Sequence, residues 1–157
     1  MNSKNRRRIR VLGKILFVLY IGFIIYFLIF SDWYGRTGEL REYHYNLVLF
    51  KEIKRFWQYR DQVGMFAMFT NLFGNVLIFM PFGFFMPMAS KYRSFFSTLF
   101  CSFGLSFAVE TFQLFAKVGS FDVDDLLLNT IGGVAGYIVF VVCAAVRRRH
   151  DRKKRKR

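Results

Sequence analysis

Long uncharged runs of apolar residues, separated by short polar segments, dominate the pattern along this chain. Four runs are long enough to cross a membrane, because about 20 helical residues rising about 1.5 Å each span about 30 Å of hydrocarbon. A backbone in lipid must satisfy its own hydrogen bonds, so each run predicts a helix. The predicted transmembrane helices cover residues 11–30, 66–86, 95–115 and 126–146, with Pro87 expected to end the second.

The segment between the first and second runs has a shorter amphipathic pattern. Within residues 50–60, apolar side chains recur at helical spacing and charged ones occupy the other face, which predicts a short helix lying in the outer interface. A solvated linker with chance periodicity is the alternative. The apolar positions are Phe50, Ile53, Phe56 and Trp57, and the basic ones are Lys51, Lys54 and Arg55. The predicted fold is therefore an all-α polytopic membrane protein, a four-helix transmembrane bundle that forms a single domain over residues 1–157.

Composition agrees with a membrane protein. Hydrophobic residues make up 54% of the 157 residues and aromatic residues 20%, whereas soluble domains average roughly 45–50% apolar residues. The net charge of +14 is concentrated in the tails, because residues 1–10 carry five basic side chains and residues 147–157 carry nine with one acid. A nucleic-acid-binding domain would spread its charge over a folded face. No nucleic-acid partner is expected, and the C-terminal tail is expected to contact anionic membrane lipid.

The distribution of basic residues also predicts the orientation. If both tails lie on one side, that side carries 17 of the 24 lysines and arginines and the other side carries seven. Basic residues accumulate on the cytoplasmic side of membrane proteins. The chain is therefore predicted to be a multi-pass protein of the cell membrane with both termini in the cytoplasm.

Polar side chains inside the last three spans are costly and therefore informative. In each span they recur three or four residues apart, which places them on one helix face. The three faces are expected to point at one another, with the strongly polar groups in the outer half of the membrane. The sequence therefore predicts an outer polar pocket, with the ligand-binding candidates Asn71, Asn75, Glu110, Gln113, Asp122, Asp125 and Asn129.

Glu110 is the most informative of these candidates, because a carboxyl group at that depth is expensive to bury. It could bind a ligand or a proton, or it could form a helix-association hydrogen bond worth about 1 kcal/mol. The acids of residues 122–125 could hold a metal ion, but capping of the fourth helix by Asp122 or Asp124 is the simpler interpretation. No metal and no other cofactor is expected. Gly132, Gly133 and Gly136 predict close helix packing.

The catalytic residues of common enzyme classes are missing from the sequence. There is no nucleophile elbow and no phosphate-binding glycine loop. His44 and His150 both lie outside the spans. A binding role is therefore favoured over catalysis, and no catalytic residue is assigned.

Three sequence blocks then occur in order between residues 45 and 137. They are NLVLFK at 46–51, NLFGN at 71–75 followed by FMPFG at 79–83, and ETFQ at 110–113 followed by DVDD at 122–125 and NTIGG at 129–133. In combination they resemble the VanZ-like family of small bacterial membrane proteins. Leu49 stands where that family usually has proline. The resemblance implies an association with reduced susceptibility to glycopeptide antibiotics such as teicoplanin.

The leading hypothesis is that the outer pocket binds an amphiphilic ligand, either a membrane lipid of the envelope or the lipid tail of a lipoglycopeptide. Lys51, Lys54 and Arg55 of the interfacial helix would then meet a phosphate headgroup. A second hypothesis is a metal-dependent intramembrane enzyme that acts on a lipid-linked phosphate through Glu110 and the aspartates. A third is a structural helper of another membrane protein.

Overall fold

The computed structural model describes residues 3–30, 43–59, 62 and 64–155, and this part of the chain is almost entirely helical. Two very short strands pair in parallel beside the helices. The all-α class is confirmed. The elements in chain order are α1 (Ser3–Phe30), β1 (Tyr45–Asn46), α2 (Lys51–Gln58), α3 (Met65–Ala89), α4 (Phe95–Phe115), β2 (Phe121–Asp122) and α5 (Val123–Arg155).

In the described part of the chain, four helices are long and apolar enough to cross a membrane, and they correspond to the four predicted spans. The third span matches α4 at both ends, and the short amphipathic helix predicted within residues 50–60 is present as α2. The fourth helix is longer than predicted at both ends, since it begins at Val123 and ends at Arg155. At its C-terminal end the basic tail continues the helix, because lysine and arginine favour helices. Similarly, α1 already begins at Ser3 within the basic N-terminal segment.

The expected end of the second span at Pro87 is wrong. Helix α3 contains both Pro81 and Pro87 and ends at Ala89. Pro87 is fully buried. Membrane helices tolerate internal proline where their surroundings compensate for the freed backbone groups.

The long helices pack in the order α1, α3, α5 and α4. Helix α1 runs antiparallel to α3, with the Phe17 and Phe82 ring centroids 5.5 Å apart. Helix α5 runs parallel to α3 and antiparallel to α4. As a result, the start of α1, the turn at residues 90–94 and the end of α5 lie together at what we call the termini end. The strands, α2 and the start of α5 lie at the opposite end, which we call the loop end.

The contact between α1 and α3 is an apolar core. Tyr20 and Ile24 of α1 are buried against Phe82 and Met86 of α3. The Tyr20 hydroxyl donates a hydrogen bond to the backbone carbonyl of Ile78. This hydroxyl therefore has a partner inside the apolar contact, as a buried polar group requires.

The contacts of α5 with α3 and α4 are built from small and polar residues instead. Phe100 of α4 is 69% exposed, whereas Ser102, two residues later, is 0% exposed and packs against Gly133. Association of helices in lipid depends on close packing rather than on a hydrophobic driving force, which is why small residues lie inside and phenylalanines outside. The close packing predicted for Gly132, Gly133 and Gly136 is confirmed, because all three meet the backbone of α3 or a side chain of α4.

Candidate functional site at the loop end

The N-terminus of α5 is capped by Asp122, as one of the two sequence alternatives predicts. The Asp122 Oδ1 atom accepts a hydrogen bond from the Asp124 backbone N–H at 2.8 Å, which satisfies one of the free amides of the first turn. Burial raises the pKa of Asp122 above its ordinary value, and the nearby Asp124 carboxylate adds to the effect. The hydrogen bonds from the helix amide and from Asn46 oppose that shift.

Asp124 caps a different helix. Its carboxylate accepts hydrogen bonds from the backbone N–H groups of Phe50, Glu52 at 2.8 Å and Ile53 at 3.3 Å, which form the first turn of α2. Phe50 occupies the N-cap position of α2 in the left-handed region, with φ 65°, and supplies no side-chain cap of its own. Asp124 is only 1% exposed. The first turn of α2 is therefore bound to the start of α5.

Asn46 completes this connection from β1. Its Nδ2 group donates to both carboxylate oxygens of Asp122, at 3.2 and 3.3 Å, while its Oδ1 accepts from the Val48 backbone N–H at 3.2 Å. The parallel strand pair aligns Asn46 with Asp122. Asn46 thus holds the chain that leads into α2 against the chain that leads into α5.

Glu110 lies beneath this network and is 2% exposed. Its Oε2 accepts a hydrogen bond from the Asp122 backbone N–H at 3.0 Å. The partner is thus a backbone amide, not a side-chain amide from a facing helix. On α3, Asn75 donates to the Asp125 carboxylate. These two contacts hold the start of α5 against α4 and α3.

A family model described as VanZ/LLP1 matches residues 17–144, which include this whole network. The chain belongs to the VanZ/LLP1 family. Protein VanZ from Enterococcus faecium is 24% identical over 127 residues, which are 81% of this chain and 72% of that protein. No solved structure matches the chain significantly.

The sequence blocks that resemble VanZ-like proteins come together at the loop end. Asn46 of the first block bonds Asp122 of the third, and Asn75 of the second bonds Asp125. Spacing within the spans does not select Asn46, although its block belongs to the resemblance. The family motifs are therefore joined by direct hydrogen bonds in this VanZ/LLP1 protein.

Beside the network lies a cavity of about 420 Å³, which we call the loop-end cavity. Asp122 and Asp125 line it, whereas Glu110, Gln113, Asn75 and Asn129 do not. Lys51 and Arg55 line it, and Arg55 also pairs with Glu52 at 2.6 Å. Lys54 is exposed on α2 outside the lining, and the side chain of Asn71 lies outside the described part of the structure. The remaining lining includes the acids Glu52 and Asp124 and the apolar Ile53, Phe56, Leu72 and Leu128.

Two further predicted site residues have contacts outside this network. The Asn129 Nδ2 group donates to the Ser106 hydroxyl at 3.0 Å between α5 and α4. Gln113 is buried, and Gly119 approaches it so closely that an added Cβ would lie 3.3 Å from the Gln113 Cβ. In the described residues, no three His, Cys, Asp or Glu side chains form a group that could hold a metal ion.

The hydrogen bond between Asn129 and Ser106 leads to a testable prediction. Asn129→Leu removes the donor to a buried Ser106 hydroxyl, and we expect it to lower the free energy of unfolding by about 1 kcal/mol. Thermal unfolding of the full chain in detergent measures this effect. Thr130→Val is the matched control, because the Thr130 hydroxyl bonds within its own helix to Leu126. Equal losses from the two variants would contradict a specific role for the Asn129–Ser106 bond.

Proposed function

We propose that this VanZ/LLP1 protein binds an amphiphilic envelope molecule in the loop-end cavity. The ligand is either a membrane lipid or the lipid-linked part of a larger molecule. The observation that carries the proposal is the composition of the lining, in which cationic and carboxylate groups face apolar side chains in one space. Ligand pockets combine an apolar wall with a few placed polar groups in this way.

The two halves of the lining suit the two halves of an amphiphile. Lys51 and Arg55 come from α2 and can meet a phosphate or another anionic headgroup. Leu72 of α3 and Leu128 of α5 lie on the bundle side and offer an apolar surface to an acyl chain. The hydrogen bonds of Asp124 to the first turn of α2 support the pocket, because they keep both cations next to the bundle.

The proposed orientation puts the loop-end cavity on the extracytoplasmic side. Helix order brings the start of α1 and the end of α5 to the termini end, and 15 of the 19 basic residues in the described part of the chain belong to that side. The excess of basic residues on that side supports a cytoplasmic location for both termini. The cavity would then be open to envelope lipids and to molecules arriving from outside the cell.

Family membership supports a wider role in the response to glycopeptide antibiotics. The VanZ-like resemblance implies reduced susceptibility to compounds such as teicoplanin, and the loop-end cavity offers a site for a lipid tail of that kind. We propose that a lipid or lipoglycopeptide in this cavity underlies such a role.

A metal-dependent enzyme that acts on a lipid-linked phosphate receives less support. The carboxylates of Asp122 and Asp124 are engaged as helix caps, and Asp125 is bonded to Asn75. Glu110 is bonded to a backbone amide. These contacts account for the acids as structural groups of the loop end, so a binding function remains the stronger proposal.

The test is to fill the cavity. Leu72→Trp places a larger side chain in the lining, and we expect the amount of lipid that co-purifies in the loop-end cavity to fall about tenfold per protein, equivalent to about 1.4 kcal/mol of binding. Native mass spectrometry of the full-length protein measures this amount. Leu77→Trp is the matched control, because Leu77 lies on the same helix and is 62% exposed outside the cavity. Cells that produce each variant are also compared for growth in teicoplanin.

The two lysines of α2 give an independent comparison. Lys51 lines the cavity and Lys54 does not, so Lys51→Gln should lower binding of the co-purifying lipid more than Lys54→Gln. If Leu72→Trp retains the lipid of the unmodified protein, the loop-end cavity is not its site. If Leu72→Trp loses the lipid but growth in teicoplanin is unchanged, lipid binding stands and the antibiotic role does not.

A further inference from the structure

A second cavity lies at the termini end of the bundle, on the opposite side from the loop-end cavity. Its volume is about 610 Å³. The start of α1, the turn between α3 and α4, and the second half of α5 contribute to its wall. We call it the termini-end cavity. Because three segments that are distant in sequence converge here, it is a feature of the folded bundle rather than of the basic tail alone.

The charged part of its lining is strongly cationic. Among the described residues, five arginines and one acid line the cavity, so its formal charge is +4. Guanidinium groups held close together repel one another unless anions lie between them. Arginine presents a planar fork of N–H groups that matches the oxygen atoms of a phosphate. The charged lining residues are Arg10, Arg93, Arg147, Arg148, Arg152 and Asp151.

Arg93 is brought to this cavity by contacts of the α3–α4 turn with α5. The Tyr137 hydroxyl donates a hydrogen bond to the Arg93 backbone carbonyl at 3.1 Å. The ring of Tyr137 also meets the edge of Phe95, with centroids 6.0 Å apart. The turn is therefore held against α5, and Arg93 is part of the same wall as the arginines of the last helix.

The rest of the lining is apolar. Ile9 of α1 and Phe140, Val141 and Ala144 of α5 contribute to it. Phe140 and Val141 belong to the hydrophobic stretch of α5, whereas Arg147 and Arg148 follow at the end of that stretch. The wall of the cavity therefore changes from apolar to cationic side chains, just as a lipid changes from acyl chain to headgroup.

We propose that the termini-end cavity binds the phosphate headgroup of an anionic membrane lipid, with an acyl chain against the apolar wall. Inorganic phosphate shares the headgroup chemistry but leaves Phe140, Val141 and Ile9 without a partner. Basic pockets at the ends of membrane helices are suited to anionic lipids. This site is separate from the loop-end cavity and does not depend on the function proposed for that cavity.

The test uses the purified full-length protein in neutral detergent, titrated with phosphatidylglycerol, phosphatidylcholine or inorganic phosphate and followed by native mass spectrometry. We expect phosphatidylglycerol to bind about tenfold more tightly than phosphatidylcholine, because the net positive wall favours a headgroup without a compensating cation. Arg147→Gln combined with Arg148→Gln should weaken phosphatidylglycerol binding about tenfold. Lys153→Gln combined with Lys154→Gln is the matched control, since it removes the same charge from the same helix outside the lining.

The outcomes distinguish binding of lipid in the termini-end cavity from general attraction of lipid by the basic tail. A larger loss in the arginine pair than in the lysine pair supports the proposal, provided that thermal unfolding without added lipid is the same for both variants. Equal losses overturn it, because the tail then attracts lipid by its total charge. Displacement of bound phosphatidylglycerol by inorganic phosphate at comparable concentration also overturns the lipid assignment. The Leu72→Trp protein should keep phosphatidylglycerol binding, which distinguishes this site from the loop-end cavity.

Discussion

Gly136→Leu is expected to prevent the bundle from forming. A Cβ atom at position 136 would overlap the Met80 carbonyl oxygen of α3 and lie 2.9 Å from the Phe84 nitrogen. Both are backbone atoms, so α3 and α5 would have to move apart along their length. Overpacking a core usually costs about 1–3 kcal/mol, and a clash between two backbones should exceed that range. We expect almost no folded, monodisperse protein after extraction in detergent.

The control for this substitution is Gly104→Leu. Gly104 lies on α4, and no atom would come within 4 Å of an added Cβ there. Replacing a glycine inside a helix by a better helix former can stabilise the helix by about 0.5–1 kcal/mol. Gly104→Leu should therefore unfold at the same temperature as the unmodified protein or higher. Normal yield and melting temperature for Gly136→Leu would show that α3 and α5 do not pack through this glycine.

Asp124→Ala is expected to release α2 from the bundle. The substitution removes the acceptor for the backbone N–H groups of Phe50, Glu52 and Ile53. Leaving a buried donor without a partner costs about 1–3 kcal/mol, and an eight-residue helix has little stability of its own. Hydrogen exchange at the amides of Glu52 and Ile53 should therefore become at least about tenfold faster, which corresponds to about 1.4 kcal/mol.

Asp124→Asn provides a graded comparison for this prediction. The amide keeps one oxygen acceptor and loses the other, so amide exchange in α2 should be intermediate between the unmodified protein and Asp124→Ala. The hydrogen bond between Ser106 and Asn129 lies deeper in the bundle, and exchange in the middle of α4 should stay unchanged. Unaltered exchange at Glu52 and Ile53 in Asp124→Ala would contradict the capping of α2 by this residue.

The membrane helices could be predicted from sequence because their cause is local. A run of about 20 apolar residues is stable in lipid only as a helix, whatever it packs against. The amphipathic pattern around Ile53 and Phe56 is also local in sequence, and it identified α2. Helix ends were harder to predict, since α3 continues through the buried Pro87 to Ala89 and the basic residues after Val146 continue α5.

The hydrogen-bonding partners of the polar residues could be predicted only in part. Spacing selected Glu110 and Asn75, and both are bonded at the start of α5. It did not reveal that Glu110 binds a backbone amide or that Asp124 caps α2. These partners are backbone N–H groups. Because all residues except proline carry one, the residue type does not show which of them will be bonded. Asn46 was missed because it precedes the spans, although the resemblance had included it.

The capping of α2 by Asp124 also constrains the order of biosynthesis. Phe50 and Asp124 are 74 positions apart, and α3 and α4 are both translated between them. The interfacial segment therefore leaves the ribosome well before its cap exists, and a peptide of this length rarely holds helical structure alone. We expect it to become ordered only when the final hydrophobic segment has entered the bilayer, so that completion of the loop end reports completion of insertion.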